Sequence, residues 1–95
     1  MRITSEESRI IRSAVDREFP GCALYLFGSR ADDARRGGDI DLLIVGDEKR
    51  DLGKLLRLKI ELKEHLGDQK IDIIYQQKDV LTPFAKVAIM EGIRL

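Results

Sequence analysis

Three aspartates in this 95-residue chain stand in strand-like runs that are otherwise apolar. Asp39 and Asp41 open "DIDLLIV", and Asp72 lies between Ile71 and Ile73 in "KIDIIY". Residues two apart on a strand point to the same face, so Asp39 and Asp41 project together while Ile40 turns into the core. Two like charges ~5 Å apart at an effective dielectric of ~20 repel by roughly 3 kcal/mol. That is a large share of the ~5–10 kcal/mol holding a small domain folded. A divalent cation or an arginine would offset it. Charged side chains are seldom buried unless paired or metal-bound, and a third strand beside the second would bring Asp72 to the same place. Three oxygen ligands with no nearby His or Cys cluster suit Mg²⁺ rather than Zn²⁺. Singly, Asp39 reads as a turn residue after Gly37-Gly38, and Asp72 as the partner of a lysine or arginine on a neighbouring element.

The segment just ahead, "FGSRADDARRGG", adds a second kind of group. A glycine between strand and helix lets backbone N–H groups approach an anion, and the exposed amides of a helix start favour phosphate. Gly28 and Ser29 fit that description. Ser29 adds a hydroxyl, while Arg30, Arg35 and Arg36 bring positive charge. By itself Gly28-Ser29 is an ordinary strand-to-helix turn, and Arg35 and Arg36 are a solvated loop. Joined to the aspartates, they make the arrangement that holds a Mg²⁺–nucleoside triphosphate, with metal ions bridging phosphate oxygens to carboxylates. Other polar residues read more plainly. Cys22, the single cysteine, sits in the apolar "CALYLF" as a small core residue and can form no internal disulfide. Tyr25 and Tyr75 fall in strands as packing or edge residues, and His65 meets the negative end of a helix.

The elements that must position these groups follow from caps and periodicity. Thr4 and Glu7 form a capping box ahead of Ile10, Ile11, Ala14 and Val15 at helical spacing, and Pro20-Gly21 stops that helix. Residues 22–27 read as a buried strand, followed by a brief helix over "RADDA" capped by Ser29. "DIDLLIV" is the second strand, ended by Gly46. Asp51 caps a helix whose stripe is Leu52, Leu55, Leu56 and Leu62, completed by Leu66 and stopped by Gly67. "KIDIIY" is the third strand. Thr82 with Pro83 starts a last helix, which Gly92 ends. Ile89 and Ile93 are assigned to that helix, either as exposed interface residues or as core. The order predicts an α/β (α+β) fold, a small and mixed sheet of three or more strands with helices packed on it.

Length bounds the answer to a single domain over residues 1–95. With 17 basic and 17 acidic residues the formal charge is zero, so overall charge gives no reason to expect direct nucleic-acid binding. The polar start "MRITSEESRI" carries no secretory signal, and no apolar run approaches the ~20 residues of a membrane span. The expected location is cytoplasmic, away from the membrane.

The whole pattern resembles the DNA polymerase β-like nucleotidyltransferase superfamily. Within it, "GSRADDARRGGDIDLLI" looks like the minimal nucleotidyltransferase (MNT) group. The resemblance runs on through "LGDQKIDIIY" to "VAIMEGIRL", nearly the whole chain. It implies that Gly28 and Ser29 hold a triphosphate, with Arg30 as a further phosphate contact. It implies that Asp39, Asp41 and Asp72 ligate Mg²⁺, two ions in all, with Asp72 also accepting the proton of the attacking hydroxyl. One departure is visible: nine residues separate Ser29 from Asp39, and Gly38 stands where many members have serine. The family transfers a nucleoside monophosphate, usually AMP from ATP, to a hydroxyl, with release of pyrophosphate. Larger relatives carry a helical acceptor-binding domain for which this chain has no room. MNT proteins are typically antitoxins paired with a small helical HEPN protein, whose tyrosine receives the AMP. Two alternatives stand beside this: a non-catalytic module that neutralises its partner by occlusion, and transfer to a small molecule in a cleft built between copies of a homo-oligomer.

Overall fold

A computed structural model describes residues 3–28, 40–67 and 69–95. The expected brief helix over "RADDA" and the Gly37-Gly38 joint lie outside the described residues.

Local chemistry sets the helix starts where the sequence puts them. Thr4 Oγ1 accepts from the Glu7 N–H at 3.0 Å while the Glu7 carboxylate accepts from the Thr4 N–H at 2.8 Å, and helix α1 follows over Ser5–Glu18. Strand β1 is Ala23–Phe27 and strand β2 is Ile40–Gly46. Asp51 caps α2, Leu52–Leu66, by accepting from the Lys54 N–H at 3.1 Å, and Gly67 closes it. Strand β3 is Ile71–Gln77, extending two residues past the expected end, and a 3₁₀ turn follows over Lys78–Val80. Thr82 accepts from the Ala85 N–H at 3.1 Å to start α3, Pro83–Glu91.

Among the described residues these elements form one four-stranded sheet in the order β3-β2-β1-β4. The sheet is mixed: β1 pairs antiparallel with both β2 and β4, whereas β2 and β3 run parallel. Strand β4, Ile93–Arg94, was not foreseen. Ile93, expected on the last helix, instead pairs with Leu26 on the edge of β1, and the Leu95 N–H continues the contact to the Leu24 carbonyl at 2.9 Å.

The two faces of the sheet are covered unequally. Leu24, Leu26, Ile40, Leu42, Ile44 and Ile71 pack under α1 and α2 against Ile11, Val15, Leu58 and Leu62, all buried. Among the described residues the opposite face carries only α3, whose Ala85 and Ala88 cover Leu43, with Tyr25, Val45, Ile74 and Ile89 around them. The expected α2 stripe needs correction. Leu55, Leu58 and Leu62 face the sheet, while Leu52 and Leu56 are 56% and 53% exposed.

Candidate active site

Parallel pairing sets Asp41 directly beside Asp72, on strands about 4.8 Å apart. Alternation along each strand puts Ile40 and Leu42 under α1 and α2, so Asp41 shares the α3 face with Leu43, and Asp72 shares it with Ile74. Both aspartates are half-buried. At the leading end of the two strands α3 contributes its first-turn Phe84. There the surface opens as a cleft of about 530 Å³ with Asp41 and Asp72 among its lining residues. Phe27 and Phe84 stand edge-to-face on one wall, ring centres 5.5 Å apart. Arg50, Leu52, Leu56 and Lys59 form the other.

Gly28 closes the near side. Its φ of 75° lies in the left-handed region, which favours glycine. A Cβ there would collide with Asp41 Oδ2, so bare backbone lies against the carboxylate. Among the described residues no hydrogen bond or ion pair involves the Asp72 side chain. The described residues lining the cleft include no His or Cys, so its acidic donors are carboxylate oxygens, the set that fits a hard cation such as Mg²⁺. Among the described residues no group of three acidic, His or Cys side chains is assembled. Asp39, Ser29 and Arg30 lie outside the described residues, as do Arg35 and Arg36.

The remaining polar residues lie elsewhere. His65 is exposed in the last turn of α2. Tyr75 is buried, stacks on Phe19 with ring centres 5.5 Å apart, and donates its hydroxyl to the Glu48 carbonyl at 2.5 Å. Cys22 packs partly buried against the larger core, and burial, with Asp47 and Glu48 nearby, pushes its thiol pKa up. Arg50, Lys59 and Phe84 belong to the cleft without having been foreseen. Arg50 precedes α2, Lys59 lies on α2 and Phe84 on α3, and no local motif ties them to the aspartates.

The sequence model of the polymerase β nucleotidyltransferase family matches residues 9–95. The chain belongs to that family. Its members generally use a nucleoside triphosphate and Mg²⁺, and membership supports a transferase. Solved structures of nucleotidyltransferase fold agree. The toxin–antitoxin complex MntA–HpeT, with two aspartate-to-glutamate substitutions, gives a TM-score of 0.69 at 20% identity, covering 93% of this chain and 70% of that one. The tri-AMPylated Shewanella oneidensis HEPN toxin in complex with MNT antitoxin gives 0.64 at 21% identity, covering 93% of this chain and 66% of that one. A third, named only as a candidate nucleotidyltransferase, gives 0.62 at 20% identity, covering 96% of this chain and 99% of that one. No curated protein matches the sequence. At these identities the likeness shows the nucleotidyltransferase fold. Among the described residues no helix is long and apolar enough to cross a membrane.

Proposed function

We propose that this chain is a single nucleotidyltransferase domain that moves AMP from ATP to a hydroxyl of a protein partner. The partner is a tyrosine-bearing HEPN-type protein, and the chain acts in the cytoplasm as the antitoxin of a toxin–antitoxin pair. The observation carrying this reading is the in-register pair Asp41–Asp72 on the open face of the sheet, with Gly28 backbone against Asp41. The partner assignment draws on the HEPN–MNT complexes of the same fold.

Asp41, Asp72 and Asp39 would hold Mg²⁺, which when bound neutralises charge on the phosphate oxygens. Gly28, Ser29 and Arg30 hold the triphosphate, the first through its exposed backbone. Asp72 takes the proton of the acceptor hydroxyl. The acceptor oxygen then forms a bond to the α-phosphorus, the α–β anhydride bond breaks, and pyrophosphate leaves with the electron pair. For this Asp72 needs to stand at the cleft, which it lines.

Labelled ATP, incubated with the purified chain and a HEPN-type protein, tests the assignment. Asp41→Asn and Asp72→Asn are each expected to lower transfer by about 10²–10⁴-fold while thermal unfolding stays unchanged. Undiminished transfer in both variants would falsify the carboxylate assignment. A variant without transfer that still neutralises its partner as fully as wild type would establish occlusion instead.

A further inference from the structure

Among the described residues the outward face of α2 continues the cleft wall without a partner. Leu52, Leu56 and Ile60 recur every four residues and are each more than half exposed, Ile60 at 60%. The other side of the same helix is satisfied by α1: Arg57 bonds Glu18 at 3.2 Å, and Glu61 pairs with Arg17. On the outward side, by contrast, Arg50, Lys59 and Lys63 make no ion pair among the described residues; Glu64 lies beside Lys59 and Lys63, and Asp41 and Asp72 line the cleft with Arg50 and Lys59. An apolar stripe edged by unneutralised cations is the complement of an amphipathic helix whose apolar face is flanked by carboxylates. A second copy of the chain does not fit, because isologous packing of this face would set its cations against themselves.

We infer that this face of α2 docks an acidic amphipathic helix of the partner protein, lying along Leu52, Leu56 and Ile60 with its carboxylates on Arg50, Lys59 and Lys63. Leu52, Leu56, Arg50 and Lys59 also line the cleft that holds Asp72, so a helix seated there delivers a side chain to the carboxylates. That delivery rests on the transfer reading; the docking does not, and is measured without nucleotide.

Two synthetic helices sharing one leucine face, one flanked by glutamates and the other by lysines, serve as probes against the full chain. Fluorescence anisotropy is expected to show the glutamate helix binding and the lysine helix not, with affinity falling as salt rises. Lys59→Glu with Lys63→Glu should weaken the glutamate helix by about tenfold or more and admit the lysine helix. Leu56→Asp should weaken binding similarly, and Asp72→Asn should leave it intact even where transfer is lost. Helical circular dichroism confirms that the exposed substitutions leave the fold in place. Equal binding of both helices, no binding of either, or an effect of the charge reversal below about twofold would overturn the inference. So would a single-stranded RNA that binds the same face more tightly than the glutamate helix and is indifferent to Leu56→Asp.

Discussion

At its leading end the β2–β3 pair carries Asp41 beside Asp72, half-buried on a cleft; at its trailing end it carries Gly46 beside Gln77, closed over by Cys22 and Tyr75. A glycine serves both ends, for different reasons. Gly28 is needed for its backbone conformation and because a side chain would meet Asp41 Oδ2. Gly46 is needed only for space: a Cβ there would stand 2.6 Å from Cys22 Sγ and 2.7 Å from the Tyr75 hydroxyl. The leading end thus leaves room around charge, and the trailing end fills its room with packing and a hydrogen bond. One pair of strands can be held rigidly at one end so that the other can present like charges side by side.

Exchanging the two glycines for alanine sharpens that contrast, and Gly28→Ala has the larger expected effect. Placing a Cβ in the left-handed region costs about 1–3 kcal/mol. The displaced Asp41 carboxylate should in addition lower transfer and Mg²⁺ affinity by about tenfold or more. Urea unfolding and a calorimetric Mg²⁺ titration read the two effects separately. A Gly28→Ala protein with wild-type metal affinity would mean that Asp41 does not need its present position.

Gly46→Ala should behave in the opposite way. Crowding Cys22 and Tyr75 costs about 1–3 kcal/mol, as overpacking does. Transfer and Mg²⁺ affinity per folded molecule should stay within about twofold of wild type, because four paired positions of β2, Leu42 to Val45, separate Gly46 from Asp41. If metal affinity fell together with stability, the two ends would be coupled and the contrast lost.

The sequence made much of this frame legible. Thr4 with Glu7, Asp51, and Thr82 with Pro83 each name a helix start through a hydrogen bond that only neighbouring residues make, so tertiary context has little to override. The α2 stripe was less legible because α2 has two apolar rows, Leu52-Leu56-Ile60 and Leu55-Leu58-Leu62, both at helical spacing. Periodicity cannot say which row meets the sheet. Strand β4 was invisible because two residues carry no period, and what fixes Ile93 is the free edge of β1. At the site, the face of Asp41 followed from alternation along one strand. Its neighbour Asp72 depended on a pairing register that "KIDIIY" alone does not contain. The residues of the opposite wall, Arg50 and Lys59, are placed by the packing of α2.

The smallest effect belongs to Cys22 and tests how closed the trailing end is. Burial first, and then the carboxylates of Asp47 and Glu48, raise its pKa above the ordinary thiol value. At pH 8 its thiolate fraction, and so its alkylation rate by iodoacetamide, should fall below that of a free cysteine, with the half-maximal rate displaced to higher pH. The stability sign follows from the same shift. The folded state favours the neutral thiol, so the stabilisation is fully present below the unfolded thiol's pKa and is lost as pH rises through the folded one. Asp47→Asn and Glu48→Gln remove only the secondary causes and should restore part of the reactivity, leaving burial to account for the remainder. Alkylation of the wild-type chain as fast as free cysteine at every pH would show that water reaches Cys22 freely. The packing of Gly46, Cys22 and Tyr75 would then not be what anchors β2 and β3.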